Sequence, residues 1–129
     1  MIKEFNSLEE IQKYYDENTN TYIFKEDDAL IDLIVFNFNL NISANIVACD
    51  INAWDINVND IDVCDITARN INANDICAWD IIASDINAKD ISYFAVCYAY
   101  KNIICKSIKG RVSTAKHFVL YGKLEVENE

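Results

Sequence analysis

Residues 46–90 read IVACD INAWD INVND IDVCD ITARN INAND ICAWD IIASD INAKD, which is nine consecutive units of five residues. The first position is Ile and the third is Ala or Val in every unit, and the fifth is Asp in all units except the one ending at Asn70. Apolar residues therefore recur at alternating steps of two and three. A helix needs steps of three and four, and a straight strand needs steps of two. The pattern predicts a short extended segment followed by a bend.

In such a unit the Ile and the Ala or Val side chains point inward, and the Asp lies at the bend. Ile is β-branched and suits the extended part. The short Asp side chain accepts hydrogen bonds from backbone N–H groups near a turn. One unit cannot bury its own apolar pair, so units must stack on one another at about 4.8 Å per layer. The sequence predicts a β-solenoid.

The repeat resembles the pentapeptide-repeat family over about residues 46–100. The family pattern is roughly Ala-(Asp/Asn)-Leu-x-x, in which the Leu and the small residue two before it point inward. If Ile took the place of that Leu, four unsuitable side chains would enter a narrow core, namely Trp54, Arg69, Trp79 and Lys89. Ile is therefore aligned with the small position and Ala or Val with the central one, so that large and small residues exchange places.

The resemblance implies an all-β fold, a right-handed four-sided β-helix, and the sequence before the repeat predicts a small N-terminal α/β cap. If four units form one coil, residues twenty apart stack, and Cys77 lies above Cys97. The same spacing predicts the stacked pairs Asp55 with Asp75, Asp60 with Asp80, and Asp65 with Asp85. Asn70 then falls between Asp50 and Asp90.

We expect one globular unit with three parts. Residues 1–45 form a cap, in which Ser7 to Glu10 resembles a capping box that opens a helix and Thr21 to Phe24 is a strand. Residues 46–100 form the solenoid. Residues 101–129 form a C-terminal cap, in which the segments on either side of Gly122 are a closing hairpin or an edge strand.

Charge is distributed unevenly along the chain. The formal net charge is −10, made up of −6 for residues 1–45, −7 for residues 46–90 and +3 for residues 91–129. Such a negative field repels nucleic acid and attracts basic surfaces. We therefore expect no direct binding to nucleic acid.

Catalytic and cofactor motifs are not evident in the sequence. His117 is the single histidine and has no neighbouring acid or nucleophile motif, so a triad is not indicated. Glycine-rich phosphate loops and the Cys spacing of zinc sites are also missing. We expect a protein that is not an enzyme, with no catalytic residues, no metal and no cofactor.

The cellular setting is predicted from the N-terminus and the cysteines. The chain starts without a signal-peptide pattern, and its longest aliphatic or aromatic run near that end, Leu33 to Phe36, is too short to cross a bilayer. Five Cys, an odd number, favour reduced thiols. We expect a cytoplasmic protein without membrane contact, and the abundance of Asn, Ile and Lys suggests a bacterial or phage source.

The acidic side chains of the repeat are the predicted binding site for a partner. Stacked carboxylates repel one another, and turn hydrogen bonds, bound cations or a basic partner would each offset that repulsion. Calcium would need several converging oxygens, and the glycines of calcium-binding nonapeptide solenoids are missing. Some pentapeptide-repeat proteins mimic DNA and bind type II topoisomerases, so the resemblance implies an inhibitor that occupies the basic groove of a DNA- or RNA-handling protein. The predicted residues are Asp50, Asp55, Asp60, Asp62, Asp65, Asp75, Asp80, Asp85 and Asp90.

A structural module that forms a homodimer is the alternative function. Aromatic residues replace small ones after the repeat, and aromatic residues are enriched in interface cores. The predicted dimer interface contains Tyr93, Phe94, Tyr98 and Tyr100. The other interpretation of these residues is that they line the core or the C-terminal cap.

Overall fold

The fold is taken from a computed structural model, which describes residues 2–27 and 29–126. The described chain is a β-solenoid of about six coils. A 3₁₀-helix spans Leu8–Tyr14. The first seven strands are β1 (Ile2–Phe5), β2 (Tyr15–Asp16), β3 (Thr21–Ile23), β4 (Lys25–Glu26), β5 (Ala29–Leu30), β6 (Leu33–Phe36) and β7 (Leu40–Asn41). The remaining strands are β8 (Asn45–Val47), β9 (Asp50–Asn52), β10 (Asp55–Asn57), β11 (Asp60–Asp62), β12 (Asp65–Thr67), β13 (Asn70–Cys105), β14 (Ser107–Gly110), β15 (Lys116–Val119) and β16 (Leu124–Val126).

The central coils contain fifteen residues, because strands pair in parallel at that spacing. Ile46 pairs with Ile61, Ile51 with Ile66, and Ile56 with Ile71. We name the three sides of the coil after these strands. Side A contains β8, β11 and residues 75–77 and 90–92. Side B contains β9, β12 and residues 80–82. Side C contains β10 and residues 70–72, 85–87 and 102–104. Strand β13 runs through all three sides and bends at each corner.

The β-solenoid is confirmed, but the stacking of residues twenty apart is wrong. Each coil has three five-residue units rather than four, so the cross-section has three sides. The shape of Ile explains the difference. Ile is broad near the backbone but reaches less far inward than the Leu or Phe of the pentapeptide-repeat pattern, and a fourth side would leave a void at the centre of a core that must be close-packed.

The inward positions are those predicted. All nine Ile residues that open the units are buried, with exposed fractions of 0–2%. The third position is buried in seven units and half-buried at Ala53 and Ala68. Trp54, Arg69 and Trp79 point outward and are exposed, which confirms that the fourth position of the unit does not line the core.

The coils lengthen towards both ends of the solenoid. The spacing is seventeen residues between Ile34 and Ile51, and twenty-four between Tyr22 and Ile46. After the repeat it grows to twenty between Cys97 and His117. Aromatic side chains fill the wider N-terminal end, where the rings of Phe5, Tyr14, Tyr22, Phe24 and Phe36 pack with centroids 5.1–6.3 Å apart. Wider coils thus accommodate larger inward residues.

The two ends differ in detail from the sequence-based expectation. The N-terminal helix is 3₁₀, and the side chain of Ser7 makes no capping bond. Instead Glu10 Oε2 accepts a hydrogen bond from the N–H of Asn6 at 2.5 Å. At the C-terminal end, β15 and β16 do not pair with each other as a hairpin. Each pairs in parallel with β13, so β16 is an edge strand and both continue the stacking.

Candidate interaction surfaces

The acidic side chains of the repeat form three columns, one at each corner. Column A runs through Asn45, Asp60, Asp75, Asp90 and Ser107 and opens the strands of side A. Column B runs through Asp50, Asp65 and Asp80 and opens side B. Column C runs through Asp55, Asn70, Asp85 and Asn102 and opens side C. The predicted pairs at twenty-residue spacing are wrong, and Asp60 with Asp75 and Asp65 with Asp80 replace them.

Hydrogen bonds link successive coils within each column. In column A, Asp60 Oδ1 accepts from the N–H of Asp75 at 3.2 Å, and Asp90 Oδ1 accepts from the hydroxyl of Ser107 at 2.7 Å. In column B, Asp80 Oδ1 accepts from the N–H of Val96 at 3.1 Å. The expected bond between an Asp and its own turn is therefore replaced by a bond to the next coil. These bonds hold the carboxylates at the spacing of the coils.

Column C alternates carboxylates with amides. Asn70 Nδ2 donates to Asp55 Oδ1 at 2.9 Å, and Asn102 Nδ2 donates to Asp85 Oδ1 at 3.3 Å. The one unit that lacks Asp at its fifth position thus provides a donor between two acidic layers. Asn70 belongs to this column and does not lie between Asp50 and Asp90. The alternation lowers like-charge repulsion, which columns A and B retain.

Repulsion and burial shift the pKa values of two carboxyl groups. Burial, followed by the charges of Asp60 and Asp90, raises the pKa of Asp75 above its ordinary value. Burial, followed by the charges of Asp50 and Asp80, raises the pKa of Asp65. Each group is the middle member of three stacked carboxylates, which is where repulsion is greatest.

All nine predicted acidic residues reach solvent. Asp62, Asp75 and Asp90 are exposed, and the other six are half-buried. Columns A and B border side A on its two edges, and Asp62 projects from its outer surface. We call side A, with these two columns, the acidic face. It brings together seven of the nine predicted residues, while Asp55 and Asp85 lie in column C.

The predicted aromatic interface divides between the core and the surface. Tyr93 is 1% exposed, and its hydroxyl lies 2.7 Å from Nδ1 of His117, so the surface contains Phe94, Tyr98 and Tyr100 without Tyr93. Phe94 packs on Trp79 with centroids 5.8 Å apart. Tyr98 and Tyr100 contact Phe118 and Tyr121, both at 6.4 Å.

Sequence reasoning missed Trp79, Phe118 and Tyr121 as members of this aromatic surface. Trp79 and Phe94 are fifteen residues apart, so a correct coil length would have grouped them. Phe118 and Tyr121 belong to the longer terminal coils, where no repeat gives the spacing. All three are exposed, and each packs against one of the predicted aromatic residues.

None of the five cysteines, all of which lie within the described residues, forms a disulfide. Cys49 and Cys64 occupy the same corner in adjacent coils, where the N–H of Cys64 donates to the carbonyl of Cys49 at 2.8 Å. Burial and the neighbouring Cys49 raise the pKa of Cys64. Cys77 lies on side A and accepts a hydrogen bond from Arg111, whereas Cys97 is buried, which raises its pKa to about 12. The predicted stacking of Cys77 on Cys97 is therefore wrong.

The described residues contain no group of three or more His, Cys, Asp or Glu side chains arranged to hold a metal ion. Within residues 2–27 and 29–126, no helix is long and apolar enough to cross a membrane. Comparison with known proteins gave no match to a protein family, to a curated protein or to a solved structure.

Exchanging Asp75 for Asn should stabilise the protein. The change removes two like-charge contacts in column A and introduces the amide donor that column C already has, so we expect a gain of about 0.5 kcal/mol in the free energy of unfolding. Asn70→Asp is the matched reverse change. It aligns three carboxylates in column C and removes a donor, at a cost of about 1 kcal/mol. Urea unfolding followed by circular dichroism checks both values, and a lower free energy of unfolding for Asp75→Asn would contradict the account.

The raised pKa values predict that the protein becomes more stable on mild acidification. A carboxyl whose pKa is higher in the folded state binds its proton more tightly when folded, so stability increases as pH falls through that pKa towards the ordinary value near 3.8. Glu26 acts in the opposite sense, because its bond to Lys3 lowers its pKa. The stability that this lowered pKa contributes is lost only when the pH falls below the ordinary value near 4.5.

We therefore expect the urea midpoint to rise as the pH falls from neutral towards the ordinary value of Glu26, near 4.5. The rise should be smaller in a variant carrying Asp65→Asn and Asp75→Asn. A variant with Asp55→Asn and Asp85→Asn removes the same charge from column C and should keep most of the rise. A midpoint that falls over this range in the unaltered protein would contradict the account.

Proposed function

We propose that the protein is a non-catalytic binding protein whose acidic face occupies the basic nucleic-acid groove of a DNA- or RNA-handling protein. The single observation that supports this most directly is the pair of carboxylate columns on the edges of side A. Each column is held at the coil spacing by hydrogen bonds, and its members reach solvent. A rigid double row of negative charge is the feature that a groove for nucleic acid recognises first.

The charge density of the repeat is close to that of duplex DNA. Residues 46–90 form three coils of fifteen residues and carry nine Asp. At about 4.8 Å per coil, they supply one carboxylate per about 1.6 Å of axis, compared with one phosphate per about 1.7 Å in DNA. Arg69 and Lys89 reduce the net charge of this segment to −7. Lys89 lies near Asp75 of column A, and the side chain of Arg111 reaches Cys77 on side A.

The width of the acidic face also suits a groove. Asp60 and Asp65 are five residues apart and belong to columns A and B, so the two columns are separated by at most about 17 Å. Because the solenoid cannot bend easily between stacked coils, binding would cost little ordering of the protein. Membership of the pentapeptide-repeat family is part of this proposal, supported by the five-residue side and the inward Ile. The three-unit coil separates this chain from the four-sided form.

A homodimer formed through the aromatic surface is the second candidate. The observation in its favour is the group of exposed apolar side chains on the C-terminal half. Trp79 is 59% exposed and Tyr121 is 81% exposed. Large exposed apolar patches on soluble proteins often mark sites of protein–protein interaction.

A competition assay tests the first proposal. Labelled duplex DNA is bound to each of a panel of purified bacterial DNA-handling enzymes, including type II topoisomerases, and the protein is added as competitor. We expect it to release DNA from at least one enzyme, and to do so less well as salt is raised. Asp65→Asn with Asp75→Asn should raise the half-release concentration about threefold to tenfold.

The charge-matched control is Asp55→Asn with Asp85→Asn, which leaves the acidic face intact and should change release much less. The proposal is wrong if no enzyme releases DNA, or if both pairs of substitutions weaken release equally. Sedimentation of the same samples tests the second candidate, the homodimer. A concentration-dependent dimer that Trp79→Ser with Tyr121→Ser abolishes would favour it, and a monomer at all concentrations would exclude it.

A further inference from the structure

The dipeptide Trp-Asp occurs twice in the repeat, at residues 54–55 and 79–80. Both copies lie at corners of the coil that have the same backbone bond to the adjacent coil. At the first corner, the N–H of Arg69 donates to the carbonyl of Trp54 at 2.7 Å. At the second corner, the N–H of Trp79 donates to the carbonyl of Cys64 at 2.6 Å. The side chains at each corner therefore stack from one coil to the next.

The first copy shows what this arrangement binds within the chain. Arg69 from the following coil lies over the ring of Trp54, 5.3 Å from its centroid. The carboxylate of Asp55 stands next in the chain and accepts a hydrogen bond from the amide of Asn70. A guanidinium is planar, so it can stack on an indole while its N–H groups point towards other acceptors. The ring of Trp54 is thus occupied by a cation of the same molecule.

The second copy has the aromatic ring without the cation. Trp79 is 59% exposed, and the following coil places Phe94 beside it, with ring centroids 5.8 Å apart. The preceding coil has the small side chain of Cys64 at the same corner. Among the described residues, the rings that have a cation over them are those of Tyr14 and Trp54. Trp79 therefore keeps exposed ring surface for a group from outside the chain.

Column B, which contains the Asp80 that follows Trp79, has no basic neighbour to balance its charge. Burial, followed by the charges of the two adjacent carboxylates, raises the pKa of Asp65, and no basic side chain acts to lower it. In column A, the charge of Lys89 opposes the rise in the pKa of Asp75 that burial and the neighbouring carboxylates cause. Column B is therefore the edge of the acidic face where unbalanced negative charge adjoins an exposed aromatic ring.

We propose that Trp79 and Asp80 bind an arginine side chain of the basic partner, in the way that Trp54 receives Arg69. This inference rests on the proposed function and identifies one contact between the acidic face and the groove. Arginine fits the corner better than lysine, because a planar guanidinium can stack on the indole and pair with a carboxylate of column B at the same time. Grooves that bind nucleic acid supply such a residue, since arginine is well suited to phosphate recognition.

Nuclear magnetic resonance of the isotope-labelled protein tests the site with tetra-arginine and tetra-lysine peptides, which have equal charge. The indole N–H signals of Trp54 and Trp79 are the reporters, because these are the two Trp residues of the chain. We expect tetra-arginine to move the signal of Trp79 and to leave that of Trp54 in place. It should bind about twofold to fivefold more tightly than tetra-lysine, the effect of one exposed cation–π contact.

Trp79→Leu should remove the preference for arginine, whereas Trp54→Leu, the matched control, should keep it. Arg69→Gln should uncover Trp54 and make its signal respond to tetra-arginine as well. Equal binding of the two peptides by the unaltered protein overturns the proposal, and so does an equal loss of preference in both Leu variants. A Trp79 signal that moves with protein concentration alone also overturns it, because a second copy of the chain would then occupy the site.

The peptide titration uses no DNA-handling enzyme, so its outcome is separate from that of the competition assay. Release of DNA without a preference for tetra-arginine would overturn this inference alone. A preference for tetra-arginine without release of DNA from any enzyme would support the arginine site and overturn the proposed function alone.

Discussion

The stacking of Ile on Ile at a spacing of fifteen residues is the constraint on which the rest of the structure depends. Ile46 on Ile61, Ile51 on Ile66, and Ile56 on Ile71 set three strands per coil. The apolar pair of each five-residue unit is buried only when the next coil stacks on it. The contact that buries the pair therefore also fixes the register of the strands. The same spacing decides which outward side chains become neighbours, and hence the chemistry of every face.

The register stacks like charges in successive coils. The three columns differ in whether amide side chains separate those charges. Column C inserts Asn70 and Asn102 between its acidic residues. Columns A and B keep three carboxylates in succession, and burial, followed by the charges of these neighbours, raises the pKa values of Asp65 and Asp75. A sequence selected for stability alone would be expected to alternate in all three columns. The repulsion retained around side A is the feature that the proposed binding function would use.

The sequence alone predicts correctly which residues of each five-residue unit point inward. It does not predict how many units form one coil. Steps of two and three identify the inward Ile and the outward Trp54 and Trp79, because these depend on the geometry of one unit. The number of units in a coil depends on how far the inward side chains reach across the core, and the alternating steps of two and three are the same for three units as for four. Asn70 is the exception to the repeat pattern, and its place in column C can be recognised only when the coil length is known. The end coils, where Tyr93 turns inward to meet His117, have no repeat from which to predict them.

Cross-linking of native cysteines tests the fifteen-residue coil most directly. A short bifunctional thiol reagent is applied at mildly alkaline pH, since the pKa of Cys64 is raised, and the bridged peptides are identified by mass spectrometry. The three-unit coil predicts a bridge between Cys49 and Cys64, which occupy one corner in adjacent coils, and its loss in urea. A bridge between Cys77 and Cys97, with none between Cys49 and Cys64, would contradict it.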